Sequence, residues 1–206
     1  MLRKTLYLII LIGTLSFSLV AKAEDKPKTE TIPPRATKAI NAYVDELVQK
    51  YKFNKTNLTK IMAQASYDPK VIHWITHPFE KKPWNFYRSF FVRQDRIDNG
   101  VKYWLQHKKL FNKIQKEYGV DPSVIIAIIG IESFFGEHAG TYNELNALTT
   151  LSFYYPKRSK FFRSELTEFL RLTRHEKLNP LLLKGSYAGA LGIPQFMPSS
   201  YRNYGV

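Results

Sequence analysis

Apolar residues recur at spacings of three and four along most of the chain, which is the period of an amphipathic helix. The first series contains Ile40, Val44, Leu47 and Tyr51 and predicts a helix that begins near Ala36. Further helices are predicted from residue 57, over 87–118 with a break at 99–100, over 122–136, over 147–153, over 161–177 and after 180. Alternation of period two is scarce, so the pattern predicts an all-α protein.

Residues that typically end or begin helices mark the boundaries between the predicted helices. Gly119 is typical of a helix C-terminus. Asp121-Pro122 follows, an N-cap residue with proline at the first helical position. Residues 76–86 contain two prolines and predict an extended crossing. Asn179-Pro180 ends the helix before it.

The N-terminus has the organisation of a secretory signal peptide. Arg3 and Lys4 precede an apolar run over 6–20, and Ala21-Lys22-Ala23 forms a cleavage site. An uncleaved anchor is the alternative, although 15 residues fall short of the ~20 that span a bilayer. We therefore expect a signal peptide at 1–23 and a linker at 24–35, followed by an N-terminal helical region at 36–105 and a second helical region at 106–206.

Composition and charge exclude several kinds of site and favour one kind of binding partner. Hydrophobic residues make up 44% of the 206, which is typical of a globular protein. The absence of cysteine excludes disulfides, thiolate metal sites, a cysteine nucleophile and a lipoprotein anchor. Residues 1–23 carry three basic residues and no acid, so their removal lowers the charge from +14 to +11. Such a charge favours anionic partners, with an unspecific basic surface as the alternative. We expect a periplasmic location.

One carboxylate stands in an apolar stretch, IIAIIGIESFFGEH (125–138). Helical spacing places Glu132 on the face of Ile125, Ile128 and Ile129, which we expect to be core. Apolar surroundings and the negative helix end both favour the protonated form. A carboxylic acid that stays protonated is what general acid catalysis needs. The alternative is a structural glutamate that caps a backbone group or pairs with an arginine.

Small residues elsewhere suggest a cleft near this acid. Gly136 allows the chain to turn away directly after the carboxylate. The segment 185–201 is rich in glycine and alanine and places Ser186 and Gln195 among apolar side chains. Isolated hydroxyls and amides of this kind orient ligands. Close helix packing through glycine and alanine explains the composition equally well.

Three motifs together resemble a known family. They are GVDPSVIIAIIGIESFFG (119–136), NALTTLSFYYPKR (146–158) and KGSYAGALGIPQFMPSSY (184–201). They are similar, in this order, to the lytic murein transglycosylases of the B type, which cut peptidoglycan glycan strands. The resemblance covers most of residues 36–206. It implies a lysozyme-like helical fold, with residues 106–206 as an incomplete catalytic core, Glu132 as the lone catalytic acid and base, and no cofactor.

The resemblance also implies six substrate-binding positions: Tyr87, Arg158, Ser186, Gln195, Phe196 and Met197. The serine and the glutamine would contact the N-acetylmuramic acid ring around the scissile bond. The tyrosine and the arginine would lie in the same groove, and the last two residues would form an apolar wall. Family members continue beyond Val206, so we expect a fragment or a truncated product. No D-x-[DN]-x-[DN]-G pattern occurs, so no metal site is expected.

Peptidoglycan glycan strands are therefore the expected partner. Neither nucleic acid nor stable membrane insertion after signal cleavage is expected, and partners among cell-wall synthesis or division proteins stay open. Three other functions remain: a muramidase that uses water, a truncated wall-binding module without turnover, and a basic nucleic-acid binder. The last would bind DNA with steep salt dependence, but the chain has no nucleic-acid motif.

Overall fold

The computed structural model describes residues 34–77 and 83–205. Over these ranges the chain forms ten α-helices: α1 (Pro34–Tyr51), α2 (Lys55–Met62), α3 (Pro69–Thr76), α4 (Trp84–Phe91), α5 (Gln94–Gln106), α6 (Lys108–Tyr118), α7 (Pro122–Ser133), α8 (Glu144–Tyr154), α9 (Ser159–His175) and α10 (Pro198–Tyr204). A 3₁₀ turn, Pro156–Arg158, joins α8 to α9. The prediction of an all-α protein is confirmed.

One short antiparallel pair of strands crosses this helical frame. Strand β1 (Tyr142–Asn143) pairs with β2 (Lys184–Gly185), so that Tyr142 faces Gly185. The side-chain amide of Asn143 also donates to the carbonyl of Leu181 at 2.8 Å. The pair therefore attaches the segment around residue 185 to the start of α8.

The core lies where α1, α8 and α9 meet. Leu47, Leu148 and Phe169 are completely buried there, and each such side chain contributes roughly 1.5–3 kcal/mol through the hydrophobic effect. A buried hydrogen bond of 2.9 Å joins the hydroxyls of Tyr43 and Thr167 across α1 and α9. These contacts form a rigid base for the segments that α8 and α9 carry.

The last described helix is attached to α9 through a buried carboxylate. Glu165 is 4% exposed, and it accepts hydrogen bonds from the Ser199 amide at 2.9 Å and the Ser199 hydroxyl at 2.8 Å. Arg202 adds an ion pair of 2.7 Å to Glu168. Residues 185–197 are therefore held at both ends, by β2 and by α10.

Glu165→Gln is expected to lower the free energy of unfolding by roughly 1–3 kcal/mol, because the new amide nitrogen cannot accept from Ser199. Urea unfolding followed by circular dichroism measures the loss. Glu117→Gln, an exposed change on α6, is the matched control. Equal stability of the two variants would contradict the role of Glu165.

Several predicted boundaries are confirmed. Gly119 ends α6 with a φ of +70°, the left-handed conformation that glycine favours. Asp121 caps α7, and its side chain accepts from the amide of Ser123. The predicted signal peptide and nearly all of the predicted linker lie outside the described residues.

Other boundary predictions are wrong. The expected break at Asn99-Gly100 is absent, because Gly100 lies inside α5 and is buried where that helix meets Phe135. Helix α7 ends at Ser133 instead of Gly136. The expected extended crossing is helical at both ends, in α3 and α4, and residues 78–82 between them lie outside the described part. After residue 180 the next helix begins only at Pro198.

No helix within the described ranges has the length and apolar character needed to cross a membrane.

Candidate active site

Glu132 is the penultimate residue of α7, and its side chain is exposed to solvent. The expectation that its face of the helix is core is therefore wrong. Ile128 on that face is 50% exposed, while the buried face runs through Ile126, Gly130 and Ser133. The physical reason is that α7 is apolar all round, so that helical spacing alone cannot identify the face that packs.

Packing of α5 against α7 selects the buried face. The guanidinium of Arg96 donates to the carbonyl of Gly130 at 2.5 Å. It lies 5.1 Å from the ring centre of Phe91 and 4.9 Å from that of Phe134. A cation at this position offsets the negative end of the α7 dipole, in the same helical turn as Glu132. Arg96 was not identified from the sequence, because no local pattern connects it with residue 130.

A strained turn over residues 134–136 follows the carboxylate directly. Phe134, Phe135 and Gly136 have φ values of 49°, 61° and 97°. Each non-glycine residue in this region costs roughly 1–3 kcal/mol, and such strain clusters at functional sites. Ser133 holds the turn: its hydroxyl accepts from the Gly136 amide at 3.0 Å, and its carbonyl accepts from the His138 amide at 2.8 Å. The turn therefore begins two residues before the glycine that the sequence indicated.

A polar cavity of about 310 Å³ lies beyond this turn. Residues 137–142 form one wall, and the other wall contains Ser186, Tyr187 and Gln195. The structure thus brings together two of the predicted substrate-binding residues, which are nine positions apart in sequence. The volume of this cavity is at the lower end of the range for small-ligand sites. We call it the polar cavity.

The hydrogen bonds of Ser186 and Gln195 leave complementary groups for a ligand. The Ser186 hydroxyl oxygen accepts from the amides of Ala188 at 3.2 Å and Ala190 at 3.0 Å. Its own O–H can still donate. The Gln195 amide nitrogen donates to the carbonyls of Ala139 at 3.1 Å and Gly192 at 2.8 Å. Its carbonyl oxygen remains able to accept.

Side-chain contacts of Gln195 and Ile193 connect the polar cavity with the segment that follows α7. The bond from Gln195 to Ala139 spans the two walls, and a side chain at Gly136 would press on Ile193. Glu132 itself does not line the cavity as the described residues form it. The acid therefore lies before the 134–136 turn, and the cavity wall begins directly after that turn, at Glu137.

The remaining predicted site residues lie outside the polar cavity of the described chain. Tyr87 is partly buried on α4, with its ring centre 4.7 Å from that of Phe91. Arg158 is exposed, with its guanidinium 4.2 Å over the ring of Phe161. Phe196 is 39% exposed, and the neighbouring Met197 packs against the core. Their roles in binding remain predictions.

Glu144 is a carboxylate that the sequence did not single out. It is 0% exposed, and neither of its oxygens has a hydrogen-bond partner within the described part of the chain. Burial raises the pKa of Glu144 to about 8. The sequence prediction began this helix at 147, but Asn143 accepts from the amide of Asn146 as an N-cap. Recognition of that cap would have placed Glu144 in the first helical turn.

A second cavity, of about 330 Å³, lies between α5 and α7. Its lining is mainly apolar and includes Val101, Trp104 and Ile131. It offers few groups that could orient a sugar. The described residues contain no group of three or more histidine and acidic side chains that could hold a metal ion.

Comparison with known proteins gives the family. Residues 36–206 match the family described as Transglycosylase SLT domain. The chain belongs to this transglycosylase SLT domain family. It is 40% identical over 174 residues to the membrane-bound lytic murein transglycosylase B of Escherichia coli (strain K12). The match covers 80% of this chain and 48% of that protein. The chain thus spans about half the length of this curated relative.

Solved structures of two lytic transglycosylases have the same fold. The soluble lytic transglycosylase SltB1 of Pseudomonas aeruginosa superposes with a TM-score of 0.78 at 43% identity, over 82% of this chain and 57% of that one. The Escherichia coli lytic transglycosylase Slt35 in complex with bulgecin A superposes with a TM-score of 0.76 at 41% sequence identity. This match covers 80% of this chain and 53% of that one. The predicted lysozyme-like helical fold is confirmed.

Proposed function

We propose that this SLT domain chain is a lytic transglycosylase that acts on peptidoglycan in cell-wall turnover. It cleaves the β-1,4 bond between N-acetylmuramic acid and N-acetylglucosamine and leaves 1,6-anhydro-N-acetylmuramic ends. The observation that carries the proposal is the arrangement around the 134–136 turn. The turn begins two residues after Glu132 and leads into the polar cavity that Ser186 and Gln195 line.

Glu132 acts first as an acid and then as a base. It protonates the glycosidic oxygen while the bond from that oxygen to C1 of the muramic acid breaks. The 6-hydroxyl of the same sugar then attacks C1, and Glu132 takes the proton that this hydroxyl loses. Glu132 thus ends in its initial state, and no water is consumed. The intramolecular nucleophile replaces the second carboxylate of ordinary glycosidases, and the neighbouring acetamido group stabilises the positive charge.

The groups around the polar cavity bind the sugar ring. Ser186 donates its O–H, and Gln195 accepts through its carbonyl oxygen, which suits the hydroxyl and acetamido groups of a sugar. Tyr87 and Arg158 extend the groove, and the arginine meets anionic parts of the substrate. Phe196 and Met197 form an apolar wall for the sugar or its acetyl group.

The proposal includes export. Residues 1–23 direct the chain to the periplasm and are cleaved. The charge of +11 that remains attracts the protein to anionic wall polymers. Glycan strands are the partner; neither nucleic acid nor stable membrane insertion is part of the proposal.

A digest of purified peptidoglycan by the 24–206 chain tests the activity. Mass spectrometry of the released fragments should find 1,6-anhydro ends. Fragments with reducing ends would instead identify a muramidase that uses water.

A wall-binding module without turnover is the second candidate. The observation that favours it is the exposure of Glu132, because an acid in water lacks the dry surroundings that strengthen electrostatic catalysis. Such a module would co-sediment with peptidoglycan and release no fragment of either kind.

A further inference from the structure

Glu144 lies directly beneath the loop that carries Ser186. It is the first residue of α8, and its backbone amide donates to the carbonyl of Leu183 at 3.0 Å. A side chain at Gly185 would overlap one oxygen of its carboxyl group, and a Cβ at Gly189 would come within 3.3 Å of the other. The carboxyl group therefore packs directly against Gly185 and Gly189 of the 185–190 loop, and it does not line the polar cavity.

In the described structure no hydrogen-bond donor would stabilise a negative charge on the Glu144 carboxyl group. The first-turn amide of Asn146 is already bonded to Asn143, so the carboxyl group receives no hydrogen bond from the start of α8. The field of a helix N-terminus is weak compared with the cost of burying an unpaired carboxylate. Burial accordingly raises the pKa of Glu144 to about 8.

The titratable groups on the neighbouring elements do not change this balance. They are Tyr142, Lys184 and Tyr187 on the strands and the loop, Tyr43 on α1, Glu165 on α9, and Asp68 at the N-cap of α3. Lys184 is exposed. Tyr43 bonds to Thr167, Asp68 accepts from the Lys70 amide, and Glu165 accepts from Ser199. Burial is the only cause that shifts the pKa of Glu144.

We propose that Glu144 is a positioning residue of the substrate site: as a neutral acid it supports the 185–190 loop and holds Ser186 in place, and its ionisation displaces that loop and weakens glycan binding. This proposal rests on the proposed function. It adds a pH-dependent control of binding at the same site.

The hydrogen bonds of the 185–190 loop explain why ionisation of Glu144 would displace Ser186. Ser186 bonds to Ala190 twice, through its hydroxyl oxygen at 3.0 Å and through its backbone amide at 2.8 Å. An ionised Glu144 needs water or a donor, and either must enter where Gly185 and Gly189 now lie. Displacement of these two glycines moves the peptide groups that orient Ser186.

The size of the effect follows from the neutral fraction. With a pKa of about 8, nearly all Glu144 is neutral at pH 6 and about a tenth is neutral at pH 9. If only the neutral form is competent to bind, the apparent dissociation constant rises roughly tenfold between these pH values.

Binding to peptide-free glycan strands at pH 6 and pH 9 tests the proposal, with folding verified at each pH by circular dichroism. The wild-type chain is expected to lose about tenfold in affinity, whereas Glu144→Gln, which cannot ionise, should change less than twofold. Glu117→Gln controls for the loss of a negative charge at an exposed site, and it should retain the wild-type pH dependence. Glu137 and His138 on the cavity wall are the same in all three proteins, so any contribution from them cancels in the comparison. A parallel loss of affinity in wild type and Glu144→Gln would overturn the proposal.

A second measurement needs no glycan. Hydrogen-exchange protection of the Ala188 and Ala190 amides, which both donate to Ser186, reports directly on the loop. Protection factors should fall in the wild type between pH 6 and pH 9 and stay constant in Glu144→Gln. Unchanged protection in the wild type would overturn the positioning role. A chain that binds no glycan even at pH 6, yet loses protection in this way, would refute the proposed function and leave the coupling of Glu144 to the loop established.

Discussion

Glu132→Gln is expected to reduce the release of 1,6-anhydro muropeptides by about a thousandfold or more. A positioned general acid or base contributes roughly 10²–10⁴ in rate, and in the proposed mechanism one carboxyl group performs both steps. Glutamine keeps the shape of the side chain and its place beside the 134–136 turn, so glycan binding should change little. Release of fragments from purified peptidoglycan, quantified by mass spectrometry, measures the loss.

Two further variants make this test specific. Glu117→Gln removes a carboxylate from an exposed position of α6, and it should keep full activity. Glu137→Gln removes the carboxylate that lines the polar cavity. Because of this position, Glu137 is the rival candidate for the catalytic acid. An inactive Glu137→Gln together with an active Glu132→Gln would transfer the catalytic role to Glu137.

Glu144→Gln is expected to stabilise the protein at neutral and alkaline pH, the largest effect on stability that the structure indicates. In the folded chain burial raises the pKa of Glu144 to about 8, from an ordinary value of 4.5. Between these two values the unfolded chain has lost the proton and the folded chain retains it. The free energy of unfolding therefore falls as pH rises, by about 1.4 kcal/mol per pH unit from this group.

The loss of stability from Glu144 is confined to the pH range between its two pKa values. Its contribution to the free energy of unfolding is fully present below about pH 4.5 and is lost by about pH 8. Glutamine has no such titration, so the two proteins should be similarly stable near pH 4.5. At pH 7 the variant should be more stable by about 3 kcal/mol.

Urea unfolding of both proteins at half-unit steps from pH 4.5 to pH 8.5 measures the difference. All other ionisable groups are the same in both proteins, so the difference curve reports on Glu144 alone. A difference curve that is flat across the window would show that the carboxyl group finds a partner or water in solution.

Local sequence signals predicted much of the helical frame. Gly119, Asp121 and Pro122 act through their own backbone conformations and side chains, so the end of α6 and the start of α7 could be read from the sequence. The lysozyme-like fold and the site residues came from the order of three motifs. Ser186 and Gln195 do line one cavity, although helical spacing could not have placed them together.

The features that could not be predicted depend on tertiary packing. The environment of Glu132 is set by α5, which packs on the opposite face of α7 through Arg96, and a helix that is apolar all round gives no sign of that choice. The left-handed conformations of Phe134 and Phe135 contradict their local preferences. Burial of Glu144 depends on a loop some 40 residues further along the chain.

The single proton on Glu144 also has a calorimetric consequence. Near pH 6.5 the folded chain carries this proton and the unfolded chain does not, so unfolding releases it to the buffer. The heat that the buffer takes up or gives off then becomes part of the measured unfolding enthalpy. Scans in two buffers with different heats of ionisation should therefore disagree for the wild-type chain by more than they do for Glu144→Gln, and the excess counts the proton without any optical probe.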